Sequence, residues 1–247
     1  MQVTPMSETA APHEPIAPPP AGPELSGAFT SVVQARRSIR AFTPEPVAPA
    51  MLRNLIASAR LAPSGANLQP GTFLQVSGEA RMRLCSSLLT AFREGLAEAQ
   101  DYSYFPDPMP TLLRRRQVAA ARALYGAVGI ERDDSAGRDR QFERNFCFFD
   151  APVALVVTIA RDMGTGCYMD LGMALYGLML AAQAQGLASC GIGALASYPS
   201  LIRRELKLDD HHAVVCGVAL GYADPDAAVN HAVTTRAELD SYFRVVA

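Results

Sequence analysis

The 247-residue sequence contains no tryptophan, four histidines and five cysteines, and each shortage closes off a class of function. The histidines, His13, His211, His212 and His231, lack metal-ligand spacing, and so do Cys85, Cys147, Cys167, Cys190 and Cys216. No two cysteines stand in CxxC register, and an odd, scattered set does not make a disulfide framework, so reduced, inert thiols and no bound metal are expected. A net charge of −2 argues against nucleic acid as a partner, and the one basic run, Arg114-Arg115-Arg116, reads as a solvated or interfacial helix face. The apolar runs 151–160 and 213–222 are too short to span a bilayer, and 167–193 is broken by Asp170, Gln183 and Gln185, so no membrane segment is expected. The Rossmann glycine fingerprint, the P-loop and the nucleophile elbow are also missing. Residues 1–26 are rich in proline, alanine and glutamate, with neither a basic start nor an apolar segment. They predict a disordered tail rather than a signal peptide, and a cytoplasmic protein.

What remains, residues 27–247, suits one domain, and an apolar share of 49% supplies its core. Phe29 to Arg36 predicts a short amphipathic helix, followed by a loop through Pro46 and a helix from Ala48 to Leu61. A polar turn, Pro63-Ser64-Gly65-Ala66-Asn67, leads into a strand over Thr72 to Val76. Helix is expected for 79–99. Pro106, Pro108 and Pro110 then force an extended stretch, which opens an excursion over 100–145. That excursion holds a helix at 111–127 and leads to a short helix at 139–148. The run 153–160 is too uniformly apolar to be a half-exposed strand. A long helix over 168–185, ended by Gly186, precedes a strand at 188–192, a helix from Pro199 to Leu206 and a last strand from His212 to Leu220. Residues 222–247 read as an arm that must dock on something, such as a second subunit.

Chemistry can be sought in four places. Arg36-Arg37-Ser38-Ile39-Arg40 sets three guanidiniums and a hydroxyl on a helix-end loop, where planar bidentate donors could grip a dianionic phosphate; the same residues could equally form a solvated basic loop. In the Pro63–Asn67 turn, Gly65 permits close backbone approach and Asn67 offers both a donor and an acceptor, although a plain turn reads the same way. Ile192, Gly193 and Ala194 follow a strand, and paired glycines can aim main-chain N–H groups at a planar ligand. The tail Gly221-Tyr222-Ala223-Asp224-Pro225, with Asn230 and Thr234-Thr235-Arg236, brings one more phosphate-capable arginine.

The order and spacing of these pieces resemble the FMN-dependent nitroreductase superfamily over roughly residues 29–244. The excursion also resembles a subgroup with Arg-Arg-Arg, Leu-Tyr-Gly and Gly-Ile segments before a Phe-Phe-x-Ala-Pro strand entry, here Phe148-Phe149-Asp150-Ala151-Pro152. The resemblance implies an α+β sandwich with a central, mostly antiparallel sheet flanked by helices, in an intertwined homodimer that exchanges C-terminal arms. It implies FMN as cofactor, with Arg36, Ser38 and Arg236 on the phosphate and ribityl chain and Arg37 beside them. Arg40 would lie at the flavin N1/O2 edge, where it stabilises the reduced ring. Asn67 would contact the N3/O4 edge, main-chain N–H groups near Gly193 and Ala194 would reach N5 and O4, and Pro63, Ser64, Gly65 and Ile192 would also belong to the cofactor site.

The implied activity is ping-pong reduction of nitroaromatic or quinone-like acceptors by NADH or NADPH through flavin N5, with no side-chain nucleophile. Some positions depart from the pattern. Gly71 replaces an aromatic after Gln-Pro, Gly166-Cys167-Tyr168 stands where relatives have Gly-Ser-Trp, Gly191-Ile192 stands for Pro-Gln, and Val233 takes the place of a second tail arginine. These leave open a specialised flavin-dependent oxidase or dehydrogenase on the same fold, and also a non-catalytic flavin-binding protein.

Overall fold

The computed structural model describes residues 22–246; the expected disorder of residues 1–21 lies outside them. Four strands make one antiparallel sheet: β1 (Thr72–Val76), β2 (Val153–Ala160), β3 (Ala188–Ile192) and β4 (His212–Gly221), in the spatial order β1-β2-β4-β3. The long central pair β2·β4 runs in register from Val153 opposite Leu220 to Ala160 opposite His212, with one shift between Val157 and Thr158. An antiparallel strand usually alternates, but β2 is buried along almost its whole length because helices cover both faces of the sheet.

On one face Ala154 and Val156 of β2 and Val214 and Ala219 of β4 meet Leu84, Leu88 and Ala91 of α3 (Gly78–Arg93) and Leu201 and Ile202 of α7 (Pro199–Leu206). On the other face Val153, Leu155, Val157 and Ile159 meet Leu52, Leu55 and Ala59 of α2 (Pro49–Ala59) and Leu171, Leu178 and Ala182 of α6 (Thr165–Ala184). The positions 52, 55 and 59 recur at helical spacing, so α2 buries a single stripe. Where α2 crosses α6, a Cβ on Gly177 would lie 3.9 Å from the Ala59 Cα, and the small residues let the two backbones approach. The result is a helix–sheet–helix sandwich of the α+β class, as the sequence implied.

The first helix, α1 (Pro23–Ala35), takes in residues that the sequence reading gave to the disordered tail, because Pro23 opens a helical turn with Glu24 in it. The helix expected to reach residue 99 stops at Arg93. Gly95, at φ +66°, reverses the chain there and lets the Leu96 N–H donate to the Ala91 carbonyl.

Within the excursion, α4 (Thr111–Ala127) matches its expected bounds and buries none of its residues. The next helix, α5 (Ser135–Glu143), begins earlier than expected because the Asp134 carboxylate caps it, accepting from the Gly137 N–H at 2.7 Å. The C-terminal segment is not wholly extended, since it holds a 3-10 turn at Ala228–His231 and a one-turn helix, α8 (Leu239–Tyr242). Its end is solvent-facing: Tyr242 is 89% exposed and Val246 95%. Among the described residues no helix is long and apolar enough to cross a membrane, and no His/Cys/Asp/Glu cluster is arranged to hold a metal.

Candidate functional site

The Arg36–Arg40 loop lies beside β3, held by the Ile39 N–H donating to the Ser189 carbonyl at 3.1 Å, and runs on against the tail, where the Asp224 N–H donates to the Ala41 carbonyl. Its anchor is the buried side chain of Asn230. The Asn230 Oδ1 accepts from the N–H groups of Arg40 (2.8 Å) and Ala41 (3.1 Å), and its Nδ2 donates to the carbonyls of Ala41 and Asp224. Loop and tail thereby become one surface, and Arg236 is brought to the arginines that precede it by two hundred residues.

Arg36, Arg37, Ser38, Arg40 and Arg236 line one cleft of about 810 Å³, together with Tyr176 of α6 and a wall of Ala120, Ala121, Leu124 and Tyr125 from α4. The guanidiniums differ in their commitments. Arg37 Nη2 donates to the carbonyls of Asn230 (2.9 Å) and Ala232 (2.8 Å), so it fastens the tail. Arg40 donates to the Ser38 carbonyl, and Arg236 only to its neighbours Thr234 and Thr235. Among the described residues none of Arg36, Arg40 and Arg236 pairs with a carboxylate, which leaves planar donors free to meet a phosphate dianion. Beneath them burial pushes the Cys190 thiol up, opposed by Arg40, Arg36 and a hydrogen bond with Ser38, so a neutral, apolar floor sits under the cationic rim. The hydroxyl of Ser189, next to Ser38 across the bridge, is buried without a partner. The donor set fits a phosphorylated ligand.

The Pro63–Asn67 turn lies elsewhere. Pro63 and Ser64 line a separate pocket of about 280 Å³ with Asp170 and Ala174 of α6. The Asp170 carboxylate holds the turn by accepting from the Gly65 N–H at 3.0 Å, and Ser64 Oγ accepts from the Gln69 N–H. Ala66, Asn67 and Gln69 all have positive φ, a conformation asparagine tolerates better than most residues. At about 100° per residue Tyr176 lies on the far side of α6 from Ala174, so one chain alone does not bring the turn and the arginine cleft onto one ligand.

Ile192 ends β3, and Gly193 and Ala194 begin a 3-10 turn. The ring of Tyr104 rests on Gly193 so closely that a Cβ there would fall 2.7 Å from it. Tyr104 belongs to an aromatic group with Tyr102, Phe105 and Tyr168, and Tyr102 is fixed by donating its hydroxyl to the Val215 carbonyl at 2.7 Å. Sequence reading had identified neither this group nor the α4 wall, and nothing in local periodicity announces them.

Comparisons with known proteins show which family the chain resembles. The model of the nitroreductase family matches residues 33–222. The chain is 38% identical over 206 residues to a 4-nitrobenzoate reductase of Pseudomonas putida, covering 83% of this chain and 90% of that one. It is 36% identical over 214 residues to a chloronitrobenzene nitroreductase of Comamonas testosteroni, covering 85% and 93%. The crystal structure of the FMN-dependent nitroreductase NfnB from Mycobacterium smegmatis in complex with NADPH superposes with a TM-score of 0.85 at 32% identity, covering 90% of this chain and all of that one. This chain belongs to the nitroreductase family.

Proposed function

We propose that the protein is a cytoplasmic, homodimeric FMN-dependent oxidoreductase that reduces nitroaromatic or quinone-like acceptors with NADH or NADPH in a ping-pong cycle. The observation that carries this reading is the cleft of Arg36, Ser38, Arg40 and Arg236, whose guanidiniums pair with no carboxylate among the described residues. Arg36, Ser38 and Arg236 would hold the phosphate and ribityl chain, and Arg40 would meet the edge of the ring that becomes electron-rich on reduction. Asn67 and its turn reach the ring from the partner subunit, a reading supported by their separation from the cleft within one chain. The exposed apolar residues of α4, Leu112, Leu113 and Val118, and the exposed C-terminal arm support the same assembly.

When bound, FMN supplies hydride acceptance and donation at N5. The protein's own work is to bind and orient. The main chain at Gly193 and Ala194 would serve the N5 side of the ring, and the Tyr104 ring packed on Gly193 would restrict what can lie there. Protons come from solvent. The named relatives reduce nitrobenzoate and chloronitrobenzene, and the NfnB complex contains NADPH, which supports these substrate classes.

The test is an anaerobic visible spectrum of the FMN-loaded protein before and after NADPH or NADH. Bleaching of the flavin band and its return on adding 4-nitrobenzoate is the expected result. Bound flavin that neither nucleotide bleaches would overturn the reductase reading in favour of another electron donor.

A further inference from the structure

The pocket of about 280 Å³ beside Pro63 and Ser64 is walled by two helices that present the same pattern to it. At the end of α2, Ile56 and Arg60 stand one helical turn apart, and on α6 Asp170 and Ala174 do the same. Each helix therefore offers one apolar and one charged residue to the space between them. Pro70 and Phe73 line it where the turn returns into β1, and Asn67 is not among its walls.

The two charges are left unmatched. Asp170 is only 7% exposed, yet its hydrogen bond is the single one from the Gly65 N–H at 3.0 Å, and it pairs with no cation among the described residues. An ionised carboxylate can accept about four hydrogen bonds. A buried one short of donors is a place where a ligand's donor gains most. Arg60 is exposed, and it too has no ion-pair partner among the described residues. The two line one pocket without pairing with each other. A cavity of about 150 Å³ holds benzene, so this one has room for a single ring with its substituents.

We propose that this pocket binds a small aromatic acid carrying an amino or hydroxylamino group. The ring lies between the apolar walls, its N–H donates to the Asp170 carboxylate, and its own carboxylate meets the Arg60 guanidinium. Asp170 is the discriminating group. A nitro group offers only acceptors, which a facing carboxylate repels, whereas an amine or hydroxylamine offers the missing donor. Such a molecule is the reduced form of a nitroarene acid. That connection rests on the function proposed above, and the binding itself does not.

The experiment titrates 4-aminobenzoate into full-length, FMN-loaded, oxidised protein by calorimetry, with benzoate and aniline as comparators. None of the three carries a nitro group, so the result stays readable even if the reductase reading fails. The expected affinity for 4-aminobenzoate is about 10-fold or more above that for benzoate, which lacks the donor, and for aniline, which lacks the anion. Arg60→Gln should weaken 4-aminobenzoate by about 10-fold and leave aniline unchanged. Asp170→Asn, whose amide oxygen can still accept from the Gly65 N–H, should remove the preference over benzoate. Ala174→Leu fills the space and should abolish binding. Three outcomes would overturn the proposal: no binding of 4-aminobenzoate, equal affinity for benzoate, or an affinity that neither Arg60→Gln nor Ala174→Leu changes. Arg60 is exposed at a helix end, so its substitution keeps the test decisive even if Asp170→Asn fails to fold.

Discussion

The side chain of Asn230 holds the main chain of Arg40, its Oδ1 accepting from the Arg40 N–H at 2.8 Å. That amide also satisfies both backbone groups of Ala41 and the carbonyl of Asp224, so every hydrogen-bonding direction it has within the fold is used on the joint between loop and tail. Asn230→Ala takes away the partner of the Arg40 and Ala41 N–H groups and of the Asp224 carbonyl, while the Ala41 carbonyl keeps the Asp224 N–H, and stability should fall by roughly 2–4 kcal/mol, summed from typical values for single hydrogen bonds. FMN affinity should fall as well, because Arg40 and Arg236 lose their common frame. Urea unfolding and FMN fluorescence titration check both. A variant with wild-type midpoint and affinity would show that the joint is held by other contacts.

The arginines of the loop should separate by role. Arg36→Ala and Arg40→Ala each remove a charge-assisted contact of about 1.5–3 kcal/mol, which weakens FMN binding roughly 10- to 100-fold. Arg37→Ala should change FMN binding much less, because its Nη2 is engaged with the Asn230 and Ala232 carbonyls; its cost should appear in the unfolding curve. Equal losses of FMN for all three substitutions would refute this division.

Much of the fold was legible because punctuation and composition coincided. Pro152 and the apolar run after it define β2, and Pro110 with Gly129 brackets α4. Errors arose where a cap was passed over: Gly95 ends α3, and Asp134 starts α5. The grouping of Arg36, Arg37, Ser38 and Arg40 on one surface was legible because they fall in a single helix-end loop. The α4 wall and the Asn230 joint were not, because each is made by tertiary packing between segments whose local patterns are ordinary. The separation of the Pro63–Asn67 turn from the cleft was equally invisible, because sequence order does not record which side of α6 a segment lies on.

The excursion begins at a buried charge cluster. Asp101, with its side chain 2% exposed, accepts from Arg203 at 2.6 Å, from Arg161 at 2.8 Å and from the Val214 N–H at 2.9 Å. Arg203 is itself 9% exposed, so Asp101→Ala strands a buried cation. That change should destabilise the protein by about 3–5 kcal/mol, the usual penalty for halving a buried pair. Arg161 is 44% exposed, and Arg161→Ala should cost no more than about 1 kcal/mol. Because Asp101 precedes the aromatic pair Tyr102 and Tyr104, its loss should also loosen the ring over Gly193, seen as faster proteolysis near residue 104. If Arg161→Ala proves as damaging as Asp101→Ala, the cluster is not centred on Arg203.

The reactivity of Cys85 should depend on pH in a way that identifies its neighbours. A hydrogen bond with Cys147 pulls its thiol from the ordinary 9.0 down to about 7, and Arg81 adds to the pull, while burial and the Asp150 carboxylate push the other way. Arg144 stands 3.8 Å from Asp150 and partly offsets that carboxylate. A lowered thiol deprotonates earlier, so alkylation of Cys85 by iodoacetamide should be half-maximal near pH 7 and level above it, where an unperturbed cysteine is still climbing at about pH 8.5. Cys147→Ser weakens the largest cause and should move the midpoint upward, and Arg81→Met should do the same through the loss of charge. Peptide-resolved alkylation rates measured across the pH range supply the check. A wild-type midpoint at about 8.5 that neither substitution moves would mean that Cys85 behaves as an isolated thiol.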